Sequence, residues 1–313
     1  MDKIDKTDNQ GSIFSQGWWL DTVAPGAWDS VEIERDGVVI ARLPYISKQG
    51  RLGLHIGMPQ LTQTLGPWLA PMEGKLSKKF GKEKDLMGEL ISKLPDYAYF
   101  IQNFHYSITN WLPWHWNGFE QTTRYTYVLE DLGDTDAIFN GFDTKIRGDI
   151  RKASKQVEVT TDVTFDDFWE LNKKVFERQG MAMPYKEELL RRIDDACIKK
   201  GCRKVFLARD REGRAHAAAY IIWDDRSAYY LLGGSDPDLR NSGATSLVLW
   251  EAIQFASEVT VKFDFEGSML ESVERYVRAF GGTPKPYFQI SHQKSKKYRI
   301  KNLLKQLWTA IKS

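Results

Sequence analysis

The segment Arg240-Asn241-Ser242-Gly243-Ala244-Thr245 runs into a stretch whose apolar residues, Leu247, Trp250, Ile253 and Phe255, recur at helical spacing. Backbone N–H groups at a helix start point outward unsatisfied and can hold phosphate oxygens, while glycine permits close approach. The segment therefore suits the phosphates of an activated donor, although a plain helix cap would use the same letters. A bulky residue at Gly243 is expected to block such a donor without unfolding the helix. Further on, Asp264 and Glu266 alternate with Phe263 and Phe265. In a strand both carboxylates share one face, where they would deprotonate an attacking ammonium or hold it in place. The structural alternative is a pairing with arginine, or an offset to the positive end of the following helix.

A third group lies in Phe104 to Gly118, where Trp111, Trp114 and Trp116 are interleaved with His105, His115 and polar residues. Flat aromatic faces of this kind stack on sugar rings or a nucleobase, and they serve equally as packing between two halves of a chain. The histidines are too isolated to be metal ligands, and no metal or Ser/His/Asp signature is present. Ser268, with Glu271 three residues on, reads as a capping box and not a nucleophile. The two cysteines, Cys197 and Cys202, lack histidine neighbours and read as idle thiols in a reducing compartment.

These residues need elements to position them. Val205–Arg209, Ala215–Trp223 and Ala228–Leu232 read as three strands joined by close turns at Asp210–Gly213 and Asp224–Arg226. A loop, a largely buried helix over 245–257, a strand over 259–265, a helix from Met269 and a strand over 286–291 follow. The first half has the same rough order: a short helix over 14–22, runs at 31–34 and 38–46 joined by Asp36-Gly37, and a run at 51–58. After a long loop over 59–81 come a helix over 82–92 and strands at 98–103 and 120–129. One helix over 138–156 links the halves and carries Lys145, Arg147, Arg151, Lys152 and Lys155. Thr164 caps a helix over 165–179, and another helix spans 187–199.

Three strands, helix, strand, helix, strand is an order that resembles the acyl-CoA N-acyltransferase (GNAT) fold. The phrases LLGGSDPDLRNSGATSLVLWEAI, FDFEGSM and AFGG resemble the second domain of the Fem-type aminoacyltransferases and their polysaccharide-cluster relatives. FSQGWWLDTV and GFEQTTRYTYVL are similar to that family's first domain. The resemblance implies an α/β chain of two GNAT-like domains in tandem, each a mostly antiparallel mixed sheet flanked by helices. Residues 12–135 would be the acceptor side, 136–291 the donor side, and 292–313 a basic C-terminal helix. It places Arg240 to Ala244 at the pyrophosphate loop, R/Q-x-x-G-x-G/A, although Thr245 stands where that pattern has a small residue. Fem-type relatives accept aminoacyl-tRNA and do not need that pattern intact, so the co-substrate implied is acyl-CoA or aminoacyl-tRNA, with no permanently bound cofactor.

The function implied is transfer of an acyl or aminoacyl group to an amine of a cell-envelope saccharide or muropeptide precursor. The competing reading is a catalytically silent module of the same fold that grips a saccharide. Hydrophobic content of 42% and a formal net charge of +2 describe an ordinary globular chain. The polar start and the lack of a spanning apolar run point to the cytoplasm. From Lys294 onward there are seven Lys/Arg and no acidic residue, and Ile300, Leu303, Leu304, Leu307, Trp308 and Ile311 form one helical stripe. A stripe of that kind lies in an anionic membrane interface or docks on the protein itself. The basic linker offers phosphate contacts should the donor be tRNA, though no RNA-binding motif accompanies it.

Overall fold

The computed structural model describes residues 11–267, 269–295 and 298. They fall into two compact units that divide after Arg124 and after Lys285. Segment 125–285 is one unit, and the described residues on either side of it form the other. The sequence places the change of domain at 135/136 and 291/292, so each boundary falls inside the end of one strand's course.

In the first unit a 3₁₀ turn, Ile13–Ser15, and helix α1, Gly17–Val23, precede strands β1, Trp28–Arg35, β2, Val38–Gly50, and β3, Gly53–Gly57. Asp36 and Gly37 both have positive φ, 53° and 75°, the conformation a tight hairpin turn requires. Two-residue strand β4, Trp68–Leu69, pairs with β2. Helix α2, Leu76–Lys93, then crosses to strand β5, Tyr99–Asn103, which lies parallel to β3. A parallel neighbour requires such a crossover. Helix α2 begins six residues before the expected Lys82, because its first turns expose Leu76 and Phe80 and so carry no buried stripe to read. Short helix α3, Leu112–Trp116, and strand β6, Glu120–Leu129, follow.

The linker is two helices and not one: α4, Thr135–Gly141, and α5, Thr144–Ala153. The break falls at Phe142, whose buried ring packs on Trp250 and Phe280 at centroid distances of 5.4 and 5.1 Å. Anchoring that ring in the core sets the turn in the chain. Strand β7, Val157–Thr160, which the sequence reading does not contain, pairs antiparallel with β8, Arg203–Asp210. Between them run α6, Phe165–Arg178, opened by a Thr164–Asp167 capping box, and α7, Glu187–Lys200. Strands β9, Ala215–Trp223, and β10, Ser227–Ser235, complete the meander. Helix α8, Ala244–Val259, crosses to β11, Lys262–Asp264, parallel to β10. Helix α9, Glu271–Arg278, and strand β12, Thr283–Gln293, end the described elements.

Both units therefore have a meander, a crossover helix and a parallel strand. Each then adds one antiparallel strand from the other half of the sequence. Gln289 to Gln293 of β12 pair with β5, and Val128 and Leu129 of β6 pair with β11. This exchange is the reason the units do not divide at the middle of the chain.

Candidate active site

The site is built where β10 leaves β11. Three parallel pairs join them, Ser227 with Lys262, Ala228 with Phe263 and Tyr229 with Asp264, and none follows. From Tyr230 to Ser235, β10 keeps only its β9 ladder, so one edge of its backbone is open among the described residues. The register against β9 slips between Tyr230 and Leu232, a bulge that bends the strand away.

The expected donor loop stands beside this gap. Arg240–Ser242 form a 3₁₀ turn, and Gly243, at φ +83°, is the N-cap of α8. Ser242 Oγ accepts the Ala244 N–H at 3.3 Å, while the Gly243 and Thr245 N–H groups meet no acceptor among the described residues. Arg240 and Asn241 are exposed, and the Asn241 carbonyl accepts from Lys152 Nζ at 2.5 Å. Gly243 has a second constraint that its sequence does not announce. A Cβ there would strike the Asp149 carbonyl of α5, with the carbonyl carbon 2.9 Å away. Gly243 thus holds α5 against α8, which overturns the expectation that a bulky replacement would spare the fold.

The carboxylates meet differently from the expected strand alternation. β11 stops at Asp264, and Glu266 has φ +57°, rare for a residue with a side chain. The chain turns back so that the Glu266 N–H donates to Asp264 Oδ1 at 2.8 Å. Thr126 Oγ1 donates to the same oxygen. Asp264 is fully buried, and that burial pushes its carboxyl up to about 6 in spite of the two donors. Glu266 is driven well above the usual carboxylate range, first by burial and then by the neighbouring Asp264 charge. Its Oε1 is sealed from solvent and finds no donor among the described residues. Among the described residues neither carboxylate pairs with an arginine. Gly267 permits the turn, since a Cβ there would lie 2.5 Å from Thr126 Cα on β6. Ser268, the expected cap, lies outside the described residues, and α9 opens at Glu271 with no side-chain cap.

Two hydroxyls that sequence reasoning missed complete the site. Tyr276 of α9 places its hydroxyl 3.1 Å from Ser246 Oγ in the first turn of α8, and burial raises its pKa. Tyr230 stands at the start of the open edge of β10, with its hydroxyl pushed up to about 12 by burial. Neither position carries a motif; only the fold brings them to the gap. A cleft of about 600 Å³ elsewhere on this unit, lined by Asp167, Lys174, Arg209 and Asp236, has its cations committed already. Lys174 pairs with Asp236 at 2.5 Å and Arg209 with Asp167, so it offers no ready phosphate site.

Residues 141–276 match the family model described as an acetyltransferase (GNAT) domain. The second unit is a GNAT acyltransferase domain. Over 90% of this chain and 93% of the other, the fold is similar to that of FemX, with a TM-score of 0.69 at 14% identity. The C-terminal domain of a putative lysylphosphatidylglycerol synthetase from Agrobacterium fabrum is similar at TM-score 0.55 and 13% identity, over 88% and 87% of the chains. L-PGS from Bacillus licheniformis is similar at 0.52 and 11%, over 91% and 89%. No curated protein matches the sequence. The whole chain thus has the Fem-like tandem fold that its phrases resemble, with the GNAT domain match confined to the second unit.

The tryptophans do not form one platform. Trp114 is fully buried in the first unit against Phe100, Phe104 and Phe119, at 5.7, 4.9 and 4.8 Å, so it packs the core and cannot stack on a sugar. A five-residue helix cannot present three neighbouring residues on one side, and α3 turns Trp116 outward at 60% exposure. Trp111 is half-buried beside His115 and Phe288. Among the described residues no cluster could hold a metal ion, and no helix is long and apolar enough to cross a membrane.

Proposed function

We propose that this chain is an N-acyltransferase that moves an acyl or aminoacyl group onto an amine of a cell-envelope saccharide or muropeptide precursor. The observation that carries the reading is the gap between β10 and β11, flanked by the free N–H groups of Gly243 and Thr245 and by the unpaired carboxyl of Glu266. The donor's phosphates take the N–H groups with Arg240, Asn241, Ser242 and Ala244 around them. The donor is acyl-CoA or, as the sequence resemblance to the Fem-type aminoacyltransferases implies, an aminoacyl-tRNA.

The chemistry is direct transfer. Without substrate, burial and the neighbouring Asp264 charge favour the protonated form of Glu266. An ammonium brought beside it favours release of the Glu266 proton to solvent, and the resulting carboxylate then takes one proton from the ammonium. The amine forms a C–N bond to the acyl carbonyl as the C–S or C–O bond to the carrier breaks. Tyr276, kept neutral by its burial, supplies the proton to the departing atom and regains one from the nitrogen, which sheds it as the amide forms. Asp264 holds the Glu266 backbone and keeps that carboxyl's affinity for protons high.

The first unit is the acceptor side in this reading, with Trp116 and Trp111 available to a sugar, and the basic segment 294–313 offers peripheral contact with the inner membrane face. The test is a donor screen by mass spectrometry, acyl-CoAs against charged tRNAs, with cell-wall and capsule precursors as acceptors. A new amide on one precursor, absent with Glu266→Gln, is the expected result. Donor binding with no transfer to any precursor would leave the silent saccharide-binding module instead.

A further inference from the structure

The bulge in β10 has a steric consequence. In a regular strand residues i and i+2 share a face, but the extra residue at Leu231 brings Tyr230 and Gly233 to the same face. A Cβ at Gly233 would fall on the Tyr230 hydroxyl, with ring atom Cζ 3.1 Å away. The ring therefore lies over the Gly233 backbone, on the part of β10 that has lost β11 as a neighbour. Gly234 faces the other way, where a Cβ would meet Leu171 and Asn172 of α6 at 2.8 and 3.0 Å. Tyr230 accordingly packs with the cluster that contains Ala244, Leu247 and Val248 of α8, the donor-loop side.

Its hydroxyl is also unlike its neighbours'. In the same unit Tyr127 donates to Glu274, Tyr185 to Asn172, Tyr220 to Asp194 and Tyr229 to Asp224, and Tyr276 meets Ser246. Tyr230 has no hydrogen-bond partner among the described residues. Tyr230 is only half-buried, and its hydroxyl is not among the atoms sealed from solvent, so its polar end stays available at the mouth of the gap.

We propose that the Tyr230 ring is the wall that limits the length of the acyl group, with Gly233 kept bare to give the ring its place. This rests on the reading of the gap as the acyl slot. A short acyl group ends against the ring, and a longer one meets it edge-on.

Calorimetric titration with coenzyme A, acetyl-CoA and hexanoyl-CoA tests the proposal without any acceptor. In Tyr230→Ala, removal of the ring should improve hexanoyl-CoA binding relative to acetyl-CoA by at least about tenfold, given four extra methylenes to bury. Tyr230→Phe keeps the wall and should leave that ratio as in the wild type. Coenzyme A itself should bind all three proteins alike. An unchanged ratio in Tyr230→Ala, with coenzyme A still bound, overturns the wall and leaves the donor site standing. An equal shift in Tyr230→Phe assigns the effect to the hydroxyl and also overturns it. Failure of coenzyme A to bind any of the three removes the acyl-CoA reading of the site together with the wall.

Discussion

The backbone N–H of Glu266 donates to the Asp264 carboxylate at 2.8 Å, so the residue proposed as base is held by the residue whose charge raises its pKa. The pair is electrostatically linked. Replacing Asp264 by Asn removes a charge that disfavours ionised Glu266. The expected outcome is a pH–rate profile that rises with pH through the Glu266 ionisation, with its midpoint moved to lower pH in Asp264→Asn. A midpoint that stays in place would separate the observed ionisation from Glu266.

Asp264 also makes a statement about stability. Burial lifts its carboxyl to about 6 in the folded state, above the ordinary 3.8. The folded state then binds the proton more tightly than the unfolded state, so stability falls as pH rises between the two values. Two units correspond to about 3 kcal/mol, as an upper figure for a buried group. Urea unfolding at pH 4 and pH 7 should show this loss, and Asp264→Asn should remove the Asp264 share while leaving that of Glu266, whose carboxyl is raised first by its own burial. Equal slopes in the two proteins would place the carboxyl in a better solvated setting.

Glu266→Gln preserves size and removes basicity. Turnover should fall by roughly 10²–10⁴-fold while donor affinity is retained, as expected for a group used only in the chemical step. Wild-type turnover across neutral pH would make Glu266 structural.

The donor loop needs a variant other than Gly243→Val. Because Gly243 abuts Asp149, that change should lower the melting temperature and donor affinity together. Arg240 is exposed and carries no ion pair among the described residues, so Arg240→Ala should leave the melting temperature unchanged. Loss of one charge-assisted contact to phosphate should weaken donor binding by at least about tenfold. Donor affinity at the wild-type level in Arg240→Ala would take this side chain out of the site.

Much of the fold was legible because its signals are local. Glu120–Leu129 is rich in Thr, Tyr and Val, residue types that strands favour, Asp36-Gly37 specifies its hairpin, and Thr164 caps α6. What escaped depends on distant partners. Phe142 breaks the linker because Trp250 and Phe280 receive its ring, and β7 is too short to show a period without β8 beside it. The site divides in the same way. Arg240 to Thr245 could be read from a helix start, whereas the left-handed Glu266 depends on contact between Gly267 and β6. Tyr230 and Tyr276 are ordinary core letters until the splay of β10 and the approach of α9 to α8 put them at the gap.

The tryptophans separate packing from binding. Trp114→Ala should cost about 3–5 kcal/mol through the cavity it leaves among Phe100, Phe104 and Phe119. Trp116→Ala should leave stability within about 0.5 kcal/mol, as for an exposed side chain. If Trp116 stacks on the acceptor's sugar, its loss should raise the acceptor KM at unchanged donor affinity. An unaltered KM would remove it from the acceptor site.

The basic stripe proposed for membrane contact lies almost wholly outside the described residues. Its last described stretch shows where to cut. Lys294 pairs with Asp96 at 2.6 Å, and the N–H groups of Lys294 and Ser295 both donate to the Ala98 carbonyl. A truncation at Lys294 would disturb the first unit, whereas one after Ser295 keeps these contacts. Six of the seven Lys/Arg residues lie beyond that cut, and each contributes roughly 1 kcal/mol near an anionic surface. The intact chain should therefore bind vesicles that contain an anionic lipid and ignore neutral ones. Binding should weaken with added salt, because screening acts on exposed charges, and vanish in the chain ending at Ser295. If the intact chain ignores anionic vesicles at low salt while the truncated chain loses thermal stability, the segment belongs to the fold.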